Sequence, residues 1–239
     1  MSIFSYSIGK KLVQAVSGAF LIIFLCLHMV INFFSVIDTF TGKWGVVAAD
    51  DKLFSAGDGL FQLGCDFMST PFIDIMVPVL ALGFVVHIVY GIYLTVLNFK
   101  ARGGVKRYEV ASRAKADSWS AQNMFVLGII ILGFLFIHLT HFWQHMQLQE
   151  FVGKEAENPY VLLENTFGRW WLLVIYIIWF VAIWFHLNHG FWSMFQSVGW
   201  NNQKWIKRLQ VIAVVVSTVI LLGFLTVAVN AFMHANGII

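Results

Sequence analysis

Histidine side chains inside apolar stretches are the feature of this sequence that could do chemistry. The run "LFIHLTHFWQH" carries His138, His141 and His145 among residues that otherwise belong in hydrocarbon. A buried imidazole is costly unless a hydrogen bond or a metal ion satisfies its nitrogens. These three side chains therefore indicate a metal site, a proton path, or imidazoles with a purely structural role.

The elements that must position these histidines are membrane helices. The chain has 239 residues, of which 59% are hydrophobic and 11% are charged, whereas a soluble domain carries roughly 25% charged residues. A span needs about 20 apolar residues, and the sequence predicts an all-α integral membrane protein, a five-helix bundle forming one domain over 1–239. The predicted spans lie near 12–36, 72–99, 121–146, 170–197 and 207–233.

The polar connectors between these spans differ in charge. Ten of the twelve acidic residues fall on one side of the predicted membrane, and eleven of the fifteen basic residues fall on the other. Because positive charge stays cytoplasmic, we expect the N-terminus inside and the C-terminus outside. The basic side comprises Lys10, Lys11, Lys100, Arg102, Lys106, Arg107, Arg113, Lys115, Lys204, Lys207 and Arg208.

Four spans carry histidines whose depths match in pairs. A helix rises about 1.5 Å per residue, which places His28 and His138 roughly 15–18 Å from the outer ends of their spans and His87 and His186 roughly 24–26 Å from theirs. A haem iron takes two axial imidazoles from opposite sides at one depth. The pattern therefore predicts two stacked bis-histidine haems, with the second N–H of each imidazole given to a carbonyl.

Other interpretations stay open at this point. Each histidine alone suits ordinary packing in a helix bundle, and "HLTHFWQH" with "HLNH" looks like the histidine boxes of membrane di-iron enzymes, although their unequal depths argue against one tight site. Spacing does not choose between His186 and His189. His138 and His145 are seven residues apart and are expected to share a helical face, with His141 about 60° away. His141 and His145 are expected near the aqueous edge.

The strings around these histidines resemble a known family. "QAVSGAFLIIFLCLHMVIN", "VHIVYGIYL", "ILGFLFIHLTHFW" and "WFHLNHGFWS" stand in order on the first four spans. They resemble the di-haem cytochrome b membrane subunit of succinate:quinone oxidoreductases, the group of succinate dehydrogenases and quinol:fumarate reductases. The resemblance implies that His28 and His138 bind the outer haem b and that His87 and His186 bind the inner one.

The resemblance also marks residues expected beside the cofactors. Gln14 occupies a position that lies close to a haem propionate in the family, and Lys204 is expected to reach the same group. Gly18, Gly83 and Gly91 would let a porphyrin approach the helices closely, although packing of small residues between helices is an equal alternative. A polar helix start facing lipid headgroups is the alternative for Gln14.

By resemblance, the chain is the membrane subunit of an oxidoreductase complex, multi-pass in the cytoplasmic (inner) membrane of a prokaryote. A flavoprotein and an iron–sulfur protein would dock on the basic loop 100–115 and the turn "NNQKWIKR". Electrons would pass between the iron–sulfur clusters, the two haems and a quinone at the outer end, with menaquinone expected. Lipid is a further expected partner, a dimer of the complex is left open, and nucleic acid is not expected.

A quinone needs polar groups for its carbonyls, and Asn32, His141 and His145 are the expected contacts near the outer face. Interfacial roles without a ligand are the alternatives for all three. Some family members carry a proton-conducting glutamate two residues before the fourth-span histidine, and here that residue is Trp184. Two other functions remain: the cytochrome b subunit of a nitrate reductase or formate dehydrogenase, and a non-redox membrane protein with structural histidines.

Overall fold

The computed structural model describes residues 7–47, 54–55, 57–101, 119–200 and 202–239. These residues form helices and connectors, with no strand among them. Five helices are long and apolar enough to cross a membrane, so the predicted all-α class and the five spans are confirmed. The helices are α1 (Ser7–Thr41), α2 (Leu60–Met68), α3 (Pro71–Ala101), α4 (Trp119–His138), α5 (Gln147–Phe151), α6 (Pro159–Phe167), α7 (Trp170–Ser197) and α8 (Gln203–Ala235).

The connectors contain more helix than the sequence suggested. Asn158 caps α6, because its side-chain oxygen accepts the backbone N–H of Tyr160 at 2.9 Å and Pro159 supplies the first helical residue. Asn202 accepts the backbone N–H of Lys204 at 2.9 Å, so most of the turn "NNQKWIKR" is the first part of α8. The basic loop predicted over 100–115 lies outside the described residues beyond Ala101.

The chain divides into two compact units, and each of the five long helices contributes to both. Unit 1 comprises residues 1–24, 79–130 and 182–218, and unit 2 comprises residues 25–78, 131–181 and 219–239. Each unit holds one of the predicted histidine pairs. His87 and His186 belong to unit 1, while His28 and His138 belong to unit 2.

Unit 1 is held together by contacts between α7 and α8. Trp184 donates its indole N–H to the Thr218 hydroxyl at 3.0 Å, and the Ser217 hydroxyl donates to the Asn188 side-chain oxygen at 3.0 Å. The described charged side chains of this unit are all basic, and carboxylates are found only in unit 2 within the described part of the chain. The basic set is Lys10, Lys11, Lys100, Lys204, Lys207 and Arg208.

Unit 2 is built around a buried carboxylate. Asp38 is fully buried, and its two oxygens accept the backbone N–H groups of Leu60 and Phe61 at 2.7 Å and the hydroxyl of Tyr160 at 2.7 Å. Burial raises the pKa of Tyr160, and the bond to Asp38 raises it further, so the phenol remains a donor. The predicted first span ended near residue 36 and left Asp38 in the polar connector that follows it. The structure corrects this, because α1 runs on to Thr41 and the carboxylate meets the positive end of α2.

Candidate paired-histidine site

In unit 2, α1 and α4 bring His28 and His138 together. Their ring centroids are 5.8 Å apart and their ring planes are inclined at 88°. Aromatic side chains surround the pair, with Phe224 5.8 Å from the ring of His28 and Trp179 5.4 Å from the ring of His138. Aromatic rings therefore form much of the surroundings of this pair.

In unit 1, α3 and α7 bring His87 and His186 together in the same way. Their ring centroids are 6.3 Å apart and the planes are inclined at 68°. The side-chain nitrogen of Gln14 lies 3.3 Å from both ring nitrogens of His87, and the Ser17 hydroxyl lies 3.3 Å from Nδ1. Gln14 thus contacts a histidine of the pair, while its own side-chain oxygen is buried without a partner among the described residues.

Both separations suit two imidazoles bound to one iron from opposite sides. A metal–imidazole bond is about 2 Å long, and the nitrogen lies about 1 Å from the ring centre, so two such rings must be roughly 6 Å apart. Ordinary edge contacts between aromatic rings fall in the same range. The two separations therefore suit either arrangement, and the hydrogen bonding of the ring nitrogens has to be considered beside them.

One imidazole in each pair has an unsatisfied nitrogen. Nδ1 of His138 and Nδ1 of His186 are buried without a hydrogen-bond partner among the described residues. The sequence predicted that each imidazole would give its second N–H to a carbonyl, and at these two atoms the structure shows no such bond. A buried polar atom without a partner costs about 1–3 kcal/mol.

The alternative histidines lie elsewhere. His141 places Nδ1 3.1 Å from the Tyr176 hydroxyl and stacks on that ring at 6.0 Å. His189 meets the edge of Trp192 at 5.0 Å, and its Nδ1 is also buried without a partner among the described residues. It is therefore His138 and His186 that face the histidines of α1 and α3.

A π turn explains why His138 and His145 do not share a helical face as expected. The α-helical hydrogen bonding of α4 ends at His138, and Leu139–Trp143 form a π segment in which the Gln144 N–H reaches the Leu139 carbonyl at 2.9 Å. The extra residue per turn breaks the spacing on which the prediction relied. His145 lies in the turn that follows and bonds Glu157 at 2.7 Å.

The glycines expected beside a porphyrin differ in their surroundings. A Cβ atom at Gly83 would come within 2.8 Å of the Phe20 ring, so this glycine permits the close approach of α1 and α3. A Cβ atom at Gly18 would lie 3.2 Å from the His87 ring, and one at Gly91 would make an ordinary contact at 3.5 Å. Close helix packing accounts for Gly83, whereas Gly18 borders the histidine pair.

Two further predicted contacts lie apart from the histidine rings. Lys204 is exposed in the first turn of α8, and its side chain makes no hydrogen bond to the described residues. Asn32 turns back on its own helix and donates to the His28 carbonyl at 2.8 Å. Asn32 is also absent from the lining of the polar cavity described next.

A polar cavity of about 190 Å³ lies in unit 2 where α4 ends and α7 begins. His141 and His145, both predicted as quinone contacts, line it. Its other lining residues are Glu157, Leu162, Asn165, Thr166, Arg169 and Leu172. The structure therefore brings together two of the three predicted quinone contacts and adds one carboxylate and one guanidinium.

Sequence reasoning missed Glu157, Arg169 and Tyr176. The first two were assigned to a polar connector without a role, and Tyr176 was one aromatic residue among many. The sequence did contain a signal for Glu157 and Arg169. Their connector joins the predicted span that ends beside His145 to the next span, so its charged residues were expected on the same side of the membrane as that histidine.

No family model, curated protein or solved structure matched the chain in the comparisons with known proteins. Within the described ranges, no three His, Cys, Asp or Glu side chains come together as a metal site.

Proposed function

We propose that this chain is a di-haem cytochrome b, the membrane anchor of a succinate:quinone oxidoreductase. The observation that carries the proposal is the pairing of His28 with His138 at 5.8 Å and of His87 with His186 at 6.3 Å. Each pair joins two different membrane helices and supplies two imidazoles, the number that a b-type haem takes from its protein.

The unsatisfied nitrogens support the same function. His138 and His186 each keep a buried Nδ1 without a partner among the described residues, so a metal ion bound at that nitrogen would displace no existing hydrogen bond. When bound, haem supplies reversible one-electron transfer. The two histidine pairs would each hold one such group, and the aromatic side chains around His28 and His138 would keep water from theirs.

Charge supports the expected orientation and partners. The described charged residues of unit 1 are basic, and the described carboxylates lie in unit 2. By the positive-inside rule, unit 1 belongs to the cytoplasmic side, where a flavoprotein and an iron–sulfur protein would dock. The cavity lined by His141 and His145 then belongs to the outer side and is the proposed site for menaquinol.

Optical spectroscopy of the purified chain tests the haem proposal. After expression with ample haem, we expect the reduced-minus-oxidised bands of cytochrome b and a pyridine haemochromogen assay that gives two haems per chain. A colourless protein, or one that holds a single haem, would contradict the proposal.

The complex to which the chain belongs is tested separately. We expect a flavoprotein and an iron–sulfur protein to co-purify with it, and the preparation to reduce fumarate with menadiol or to oxidise succinate. Co-purification with a molybdenum-containing subunit, together with nitrate or formate activity, would assign the chain to a different respiratory complex.

A further inference from the structure

We propose that two imidazoles lining the cavity of unit 2 are held in opposite tautomers and have different roles in proton exchange. His145, backed by Glu157, accepts a proton from a hydroquinone hydroxyl, while His141, fixed by Tyr176, donates a hydrogen bond to a quinone oxygen. The inference rests on the proposed function and assigns roles within that site.

The contact between His145 and Glu157 fixes the first tautomer. Nδ1 of His145 lies 2.7 Å from a carboxylate oxygen of Glu157. An ionised carboxylate only accepts hydrogen bonds, so Nδ1 carries the proton. A neutral imidazole has one N–H and one lone pair, and the lone pair of His145 therefore lies on Nε2. This imidazole can take a proton at Nε2, and the carboxylate stabilises the cation that forms.

The contact between His141 and Tyr176 fixes the second tautomer. Tyr176 is 3% exposed, and the bond to Nδ1 of His141 at 3.1 Å is the only hydrogen bond of its hydroxyl among the described residues. A buried hydroxyl that does not donate is costly, so the phenol donates to Nδ1. His141 then carries its own proton on Nε2 and offers that N–H to a ligand.

These two imidazoles line one cavity, so it holds both a hydrogen-bond donor and a proton acceptor. A quinone oxygen accepts a hydrogen bond, and a hydroquinone hydroxyl donates one. A quinone and hydroquinone couple is the redox-active ligand class that matches both groups. Leu162 and Leu172 supply apolar walls of the same cavity, which suits an aromatic ring.

Tyr176 also connects the cavity to the histidine pair of unit 2. Its ring centroid lies 6.0 Å from that of His141 and 6.3 Å from that of His138. A single aromatic ring therefore separates a cavity-lining imidazole from an imidazole of the pair. Electrons leaving a ligand in the cavity have a short route to the one-electron acceptor that His28 and His138 would hold.

The proposed step balances as follows. Oxidation of one hydroquinone to the quinone breaks two O–H bonds and releases two protons and two electrons. One proton passes to Nε2 of His145 and then to solvent, because His145 and Glu157 are 39% and 50% exposed. The other passes to water at the exposed rim beside Asn165. The electrons would leave one at a time to the one-electron acceptor that His28 and His138 would hold.

The holocomplex carrying Glu157→Gln tests the role of the carboxylate, with Glu155→Gln as the matched control. Glu155 is an exposed carboxylate of the same connector and is not part of the cavity lining. General acid and base groups contribute about 10²–10⁴-fold to rates, so loss of the group that supports the base is expected to lower kcat with menadiol at least about tenfold. The Glu155 variant is expected to retain wild-type kcat.

Rescue by a second carboxylate and a split between kcat and KM provide readouts that a purely structural role would not move. Without the carboxylate, nothing holds the proton of His145 on Nδ1, so kcat for menadiol oxidation is expected to fall in Glu157→Gln with a smaller change in KM. Glu157→Asp is expected to restore part of kcat.

Tyr176→Phe tests the donor imidazole, because it keeps the ring beside His138 and removes only the hydroxyl. Its KM for menadiol is expected to rise about three- to tenfold, the loss of roughly one hydrogen bond, with a smaller change in kcat. Two haems and unchanged kinetics in both Glu157→Gln and Tyr176→Phe would overturn this inference and leave the proposed function standing. Absence of haem from the wild-type chain would instead overturn the proposed function.

Discussion

The imidazole rings of His28 and His138 lie 5.8 Å apart although 110 residues separate them in the chain. A His138→Ala variant is expected to lose one haem of two, because the iron would lose one of its two protein ligands. His141→Ala is the matched control, since His141 faces Tyr176, and it should keep both haems. The pyridine haemochromogen assay measures the haem content of each variant. Loss of haem from His141→Ala alone would mean that His141, about one helical turn further along, is the ligand in place of His138.

The pair in unit 1 makes an independent prediction. His186→Ala is expected to remove the other haem, whereas His189→Ala, whose ring meets the edge of Trp192, should leave both haems in place. Because the two pairs share no residue, the double variant His138→Ala, His186→Ala should contain none. Retention of both haems by His186→Ala would disprove the assigned pairing.

The sequence predicted the five spans well because their signal is local. Length and apolar composition decide whether a helix can cross a membrane, and both can be counted along the chain. Residue counting also predicted which histidines pair, since the rise per residue of an α-helix converts distance along the sequence into depth in the membrane. The rings of these histidines contact each other in the structure. Each predicted pair falls inside one compact unit.

Positions predicted from α-helical spacing were wrong where the backbone is not α-helical. The π segment after His138 and the turn before α5 place His141 and His145 in positions that α-helical spacing does not give. Asp38 was misassigned for a related reason, because its burial depends on α2 and Tyr160, which lie far away in sequence. Contacts between segments that are distant in sequence decide whether such a side chain is buried. The residue pattern within one segment does not indicate these contacts.

The bonds of Asp38 predict a large loss of stability on substitution. Asp38→Asn places an amide N–H₂ against one of the two backbone N–H groups that the carboxylate accepts and is expected to cost about 2 kcal/mol or more. Tyr160→Phe removes one bond to the same carboxylate and is expected to cost about 1.5–3 kcal/mol. Thermal unfolding in detergent measures both, with Thr41→Ala as an exposed control whose hydroxyl bonds only its own helix. An Asp38→Asn variant as stable as wild type would show that these bonds do not hold α2 in place.

Glu150 makes stability depend on pH in a defined direction. Partial burial raises the pKa of this carboxyl, the Ser69 hydroxyl that donates to it at 2.7 Å lowers it, and the nearby Asp74 and Asp66 raise it, with a net increase. Because its pKa in the folded state lies above the unfolded value of about 4.3, its favourable contribution is fully present below that value and is lost as pH rises through the folded value.

The Glu150→Gln variant isolates this contribution, because a neutral amide does not titrate. Its melting temperature relative to wild type is expected to rise from about pH 4, where a glutamate begins to lose its proton, to pH 7, as wild-type Glu150 ionises beside Asp74 and Asp66. Lys154→Gln, on the connector that follows α5, should show no such trend. A melting-temperature difference that stays constant or falls with pH would mean that Ser69 and Gln147, which both donate to Glu150, outweigh the burial and repulsion.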